Sequence, residues 1–390
     1  MIMLSQQQRI FFEFLRFCIG TVQEVPSSLK GADWRVLYAM ARKQCLVGVL
    51  FDGIKRLPAD VGMDKGLLFQ WMAQNQTLRK ANARLDKAAV EVAEWFGRKG
   101  FRTCVLKGQG NALLYPPGME RTPGDIDLWV DGGDRKVVSF VRSLSPDEKV
   151  CYHHIGFPEY NGVEVEVHFR PSFLFCFRHN RRLQEYYERV MDEQFAHKVK
   201  LGEQGEVAVP KAEFNLIFQL THIFTHLMNE GIGLRQLLDY FFLLKNTDFG
   251  GNADGDGFLL NTNCTDYTDR IGGNADGVDR RLLQDELRRL GLWEFAGAVM
   301  YIMKEVFGLE DNRLIVPPDV MRGRLVLKEA LEAGNFGQYD KRNWFGHSAL
   351  GHNLQRLYRD MRLVRFFPAE ALSEPFFRIW HFFWRKRIVR

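Results

Sequence analysis

Apolar residues recur at three- and four-residue intervals over the first 98 positions: Ile10, Phe11, Phe14, Leu15 and Cys18, then Trp34, Leu37, Tyr38 and Ala41, then a long run from Leu67 to Phe96. That period predicts helices throughout. In the long run Leu78, Leu85, Val90, Val92 and Trp95 interleave with Arg79, Lys80, Arg84, Asp86 and Lys87, which predicts one long helix ended by Gly97 and Gly100. From residue 101 the period changes. Residues 103–106 form a short β-prone run, Gly108 and Gly110 mark a tight turn into a helix over 111–115, and Pro116, Pro117 and Gly118 break that helix. Residues 125–130 read as a second strand, followed by a polar helix over 135–144. Over 163–169 the alternation is strict, so Val163, Val165 and Val167 share one face while Glu164, Glu166 and His168 share the other. Residues 199–209 read as a hairpin that closes the sheet.

Helical spacing returns at Ala212, with two apolar helices over 212–245 parted at Gly231 to Gly233, and it continues over 279–307 and 309–390. The pattern predicts an α+β fold: an N-terminal helical region at 1–98, a small mixed-sheet core at 99–210, and a C-terminal helical region at 211–390. An insertion rich in Gly, Asn and Asp interrupts the last region at 246–278. Within it GGNADG occurs twice, at 250–255 and 272–277. Neither copy completes a calcium-loop ligand series or ends in its bidentate Glu, so the segment reads as a flexible, locally duplicated loop.

Composition narrows the class. With 46% hydrophobic and 26% charged residues the chain is that of an ordinary soluble protein, and 32 Phe predict a large Phe-rich core. The net charge of +5 is too mild to point to nucleic acid. Basic residues gather only in the tail PFFRIWHFFWRKRIVR, which reads first as a terminal helix whose Phe and Trp dock on the core while Arg and Lys face water, and second as a membrane-surface helix. Six cysteines without a Cys-x-x-Cys pair read as reduced thiols, which places the protein in the cytoplasm. Arg9, Glu13 and Arg16 interrupt the first apolar run, and no stretch has the length of a transmembrane segment.

The chemistry concentrates in VLKGQGNALLYPPGMERTPGDIDLWV, residues 105–130. Asp125 and Asp127 are two apart on a strand, so both carboxylates leave one face and repel each other unless a cation lies between them. Glu166, on the polar face of the 163–169 strand, joins them as a third oxygen donor if the two strands are neighbours. Three such carboxylates suit metal-assisted phosphoryl or nucleotidyl transfer. Ahead of them, Lys107 and Gly108 end a strand and open a helix where phosphate oxygens find amides and a cation, and Arg121 adds a bidentate phosphate donor. His168 and Arg170 are placed to orient Glu166 or touch substrate. His222 and His226, one helical turn apart, can pair on a metal or pack internally. Arg235 and Asp239, four apart, read as a helix-surface pair, with a place at the border of the cleft as the alternative.

The pattern LKG, YPPGMERTPGDIDLWV, VEVEVHFRP and THIFTHLMNEGIGLRQLLDY resembles the DNA polymerase β-like nucleotidyltransferase superfamily, and within it the bacterial group labelled uncharacterised nucleotidyltransferases. The resemblance implies that Asp125, Asp127 and Glu166 bind Mg2+ (or Mn2+), and that the turn at Gly108 and Gln109, with Lys107 and Arg121, holds an NTP such as ATP. Transfer of an NMP to an acceptor hydroxyl, on a small molecule, protein or RNA, would then release pyrophosphate. One departure stands out: Gln109 occupies the turn position where the superfamily has Ser or Gly. That departure keeps open a catalytically silent nucleotide-binding or protein-interaction module on the same fold.

Overall fold

The computed structural model describes residues 4–58, 61–249, 277–342 and 349–389. The helical period before residue 99 becomes α1 (Gln6–Cys18), α2 (Trp34–Lys43), α3 (Val47–Ile54) and the 34-residue α4 (Lys65–Arg98). Asp64 caps α4 by accepting from the Leu67 N–H, one of the donors a helix start leaves unpaired. The apolar face of α4 changes partner along its length. Trp71 and Leu78 enter the core shared with α1 to α3, whereas Leu85, Ala89, Val92 and Phe96 cover a β-sheet.

That sheet is built from β1 (Thr103–Leu106), β2 (Ile126–Val130), β3 (His154–Tyr160) and β4 (Val163–His168), with α5 (Gly108–Ala112) after β1 and α6 (Gly133–Leu144) after β2. The strand order is β1-β2-β4-β3, with β2 antiparallel to β1 and parallel to β4, and β3 antiparallel to β4. The acids of β2 and β4 therefore stand on the two central strands, not on a solvated edge. Ile126, Leu128, Val130, Val163, Val165 and Val167 pack against α4 and α6. Alternation sends Asp127, Trp129, Glu166 and His168 to the opposite face.

Three expectations change here. The helix after the Lys-Gly turn covers 108–112, not 111–115, so it begins at the turn itself. The hairpin exists as β5 (Lys198–Leu201) and β6 (Gly205–Ala208), but it forms its own two-stranded sheet against α4 instead of closing the first one. β3 and the 20-residue α7 (Phe177–Ala196) were not foreseen. β3 carries Gly156 and Pro158 with no clean alternation, and α7 spaces its buried apolar residues, Leu183, Tyr186, Tyr187 and Phe195, among charges.

The other face of the sheet meets α8 (Ala212–Asn229), and Trp129 stacks on Phe214 with ring centroids 5.6 Å apart. Beyond lie α9 (Leu234–Asn246), α10 (Arg280–Arg289), α11 (Trp293–Glu305), α12 (Val320–Ala333), α13 (Ala349–Leu363) and α14 (Pro368–Ile388). The two GGNADG copies, apart from the final glycine, lie outside the described residues. The tail helix α14 is half as expected: Phe377 and Trp384 pack inward, but Leu372, Phe376, Ile379 and Phe383 form an exposed apolar stripe at helical spacing. Among the described residues no helix is long and apolar enough to cross a membrane.

A buried ion pair joins the strand unit to the helices. Arg235 and Asp239 were expected on a helix surface, yet α9 is enclosed on all sides and both are buried. The partner of Asp239 is Arg121, whose Nε and Nη2 each donate to one carboxylate oxygen at 2.8 Å, and the Tyr115 hydroxyl donates to Asp239 at 2.7 Å. This clamps the loop before β2 onto α9. Breaking a buried pair from one side strands the other charge, so Arg121→Ala should cost about 3–5 kcal/mol. Urea unfolding checks this; an unchanged midpoint would contradict it.

Candidate active site

β2 and β4 run parallel with Asp127 in register beside Glu166 and Trp129 beside His168. Neighbouring strands lie about 4.8 Å apart, so Asp127, Glu166 and His168 cluster on one face. Asp125 lies two residues before Asp127, just ahead of β2, and joins that face. The condition set by the sequence, that the two acid-bearing strands adjoin, is met.

Asp127 is the centre of the cluster. It is 2% exposed, and its Oδ1 takes the Lys107 ammonium at 2.7 Å and the His168 Nε2–H at 2.9 Å. Burial pushes this carboxyl up, but Lys107 and His168 overcome that and hold it well below the usual carboxylate range. The charge of Asp127, reinforced by burial, in turn pushes Asp125 up to about 6. Burial would lower His168, yet its hydrogen bonds to Asp127 and Glu166 raise it to about 9. Glu166, raised by burial, is brought down past its ordinary value by His168 and His154. Two cations and three acids thus share one small volume.

Lys107 owes its place to an unusual backbone. It sits at φ 50°, ψ −132°, a region that costs a non-glycine residue about 1–3 kcal/mol. Besides Asp127 its ammonium donates to His222 Nε2 at 3.2 Å, and burial keeps His222 well below its usual range and so able to accept. His226 meets the His222 ring edge-on, with centroids 4.2 Å apart, and burial lowers it to about 3.

Beside this cluster opens a small cleft. Lys107, Gly108, Asp125 and Asp127 line it from the strand unit; His222, Arg235 and Gln236 line it from α8 and α9, and Phe336 adds an aromatic ring. Arg235 Nη1 donates to the Thr122 carbonyl at 3.1 Å, whereas Arg235 Nε and Gln236 Nε2 are buried donors with no partner among the described residues. Unpaired buried donors are costly, and a polar ligand in the cleft would satisfy them. The cleft was the alternative place for Arg235 in the sequence, whereas Gln236 was not singled out; the polar pair at 235–236 inside an otherwise apolar helix was the available signal.

Three expected site residues are placed otherwise. Arg121 borders the cleft, but its guanidinium is committed to Asp239, so it is not a free phosphate donor. The Gln109 side chain turns away and donates to Asp86 on α4, so it is not directed at a nucleotide. Arg170 does not hold Glu166. It donates to Asp134 at 2.6 Å and to the Tyr152 carbonyl at 2.9 Å, with its guanidinium over the Tyr152 ring. His168, by contrast, lies directly between Asp127 and Glu166, at 2.9 and 3.4 Å.

A histidine whose folded value of about 9 exceeds its unfolded value of about 6.5 stabilises fully below the unfolded value, and that contribution is lost as pH rises through the folded one. In metal-free buffer the stability difference between the wild type and His168→Gln should therefore shrink between about pH 6.5 and 9. Chemical denaturation across that range measures it; a difference independent of pH would contradict this electrostatic picture.

A family model described as an uncharacterised nucleotidyltransferase matches residues 30–258 of the chain. No curated protein matches. Among solved structures, a crystal structure of an antigenic nucleotidyltransferase-like protein from Paracoccidioides brasiliensis is similar at 16% identity. That likeness covers 42% of this chain and 76% of the other, with a TM-score of 0.27.

Proposed function

The chain belongs to this family of uncharacterised nucleotidyltransferases, and from that premise we propose that the cleft transfers an NMP from an NTP to an acceptor hydroxyl, with the chemistry of the DNA polymerase β-like superfamily. The observation that carries the reading is the juxtaposition of Asp127 and Glu166 across parallel strands, with Asp125 two residues away, at the edge of a cleft lined by Lys107 and Arg235. Carboxylates and cations gathered along one cleft suit a metal-bound triphosphate.

The donor set fits a divalent cation. Ligand atoms of Asp127, Glu166 and His168 lie within 4.8 Å of one another, and the mutual repulsion that raises Asp125 is what an added positive charge relieves. Asp125, Asp127 and Glu166 would hold the ion, which when bound would supply positive charge to the α-phosphate oxygens and the attacking oxygen. Lys107, Arg235 and Gln236 bind phosphate oxygens, the last two through donors left unpaired in the protein. Glu166, the more exposed acid at 35% side-chain accessibility, accepts the proton of the acceptor hydroxyl as its oxygen bonds to the α-phosphorus. The bond from that phosphorus to the bridging oxygen breaks, and pyrophosphate leaves. Phe336 offers a ring for the base or the acceptor.

A second reading, nucleotide binding without turnover, rests on the two cations already seated on Asp127, which neutralise it without a metal. Asp125→Ala separates the two. It should abolish the metal-dependent pyrophosphate release of the wild type while leaving the fold intact by circular dichroism; no release by the wild type would overturn the enzyme reading, and release by the variant at the wild-type rate would overturn the role given to Asp125.

A further inference from the structure

Glu166 and His168 alternate onto one face of β4, and Asp127 is in register beside Glu166 on β2. An imidazole therefore stands where an all-oxygen site would put a water or a carboxylate. His168 is fully enclosed. Its Nδ1 lies 3.3 Å from the Arg170 carbonyl, and its Nε2 faces Asp127 Oδ1 at 2.9 Å and Glu166 Oε2 at 3.4 Å. A ring nitrogen bound to a backbone carbonyl while the other nitrogen faces a carboxylate pair is how proteins aim a histidine at a metal ion. A second imidazole comes from β3, where His154 is in register with His168. His154 Nδ1 lies 3.4 Å from Glu166 Oε2 and 3.1 Å from His153 Nε2. Ligand atoms of His153, His154 and His168 fall within 4.8 Å of one another, as do those of Asp127, Glu166 and His168.

Mg2+ demands oxygen ligands and retains its waters, whereas imidazole favours the first-row transition ions. We infer that Asp127, Glu166 and His168, with His154 as a further nitrogen donor, form a mixed oxygen and nitrogen site that selects a first-row transition-metal dication over Mg2+. The inference rests on the reading of this cleft as a metal-dependent nucleotidyltransferase, and it replaces the all-oxygen Mg2+ site which that reading expects. Glu166 anchors both strands of donors: it is beside Asp127 on one side and reached by His154 on the other. No other pair of acids on the sheet has imidazoles on both flanks among the described residues.

The test uses the full chain and the metal alone. Mn2+ bound to the wild type, read by electron spin-echo envelope modulation, should show nitrogen coupling from a directly ligated imidazole. Titration with Co2+, followed by its visible absorption, should give an affinity that His168→Asn weakens by at least about tenfold while Mg2+ affinity, from calorimetry, stays within about twofold of wild type. His154→Asn serves as the second variant should the first fail to fold, and it should alter the Co2+ spectrum. Absence of nitrogen coupling, or equal losses of Co2+ and Mg2+ affinity in His168→Asn, would overturn the inference. The two readings fail separately. Nitrogen coupling without nucleotidyl transfer upholds the mixed site and removes the enzyme reading; transfer supported by Mg2+ with no nitrogen coupling does the reverse.

Discussion

A buried carboxylate without a partner would cost several kcal/mol, and the arrangement around Asp127 answers that constraint. Its oxygen is met by Lys107 from the turn after β1 and by His168 from β4, so three separate stretches of chain are tied to one atom. Lys107 reaches it only from a backbone conformation that a non-glycine residue rarely adopts. The local strain and the ion pair are parts of one arrangement. Asp125 experiences its consequence, because the charge held on Asp127 is what pushes the neighbouring acid towards neutrality.

A second ion pair, Arg121 with Asp239, does for the architecture what Lys107 does for the site. It fixes the loop that leads into β2 against α9, and the same helix delivers Arg235 and Gln236 to the cleft. The strand unit therefore supplies acids and the helices supply donors, and the clamp keeps the two sets face to face. Without α9 the acids would face open solvent, where charges are worth far less.

Much of this was legible in the sequence. The change of period at residue 101, the strict alternation over 163–169 and the two-residue spacing of Asp125 and Asp127 are short-range signals, and they predicted the strands and the shared face. What local pattern could not carry was pairing at long range. Arg121 looks like a free phosphate donor until Asp239, 118 residues later, is seen to occupy both of its edges. Gln109 looks like part of the nucleotide-holding turn until its side chain is seen to be taken by Asp86 on α4. Arg235 and Asp239 have the spacing of a surface pair, and only the enclosure of α9 by other helices reverses that. β3 was missed because Gly156 and Pro158 erase its alternation, and with it went His154.

The central claim is that the acids beside this cleft direct attack on the α-phosphorus of an NTP. Incubating the protein with a divalent metal, cell extract and NTP labelled either at the α- or at the γ-phosphate tests it most directly. The account predicts that α-label becomes fixed to an acceptor while γ-label appears only in pyrophosphate. Transfer of the γ-label to an acceptor, or retention of both labels in intact NTP, would contradict it.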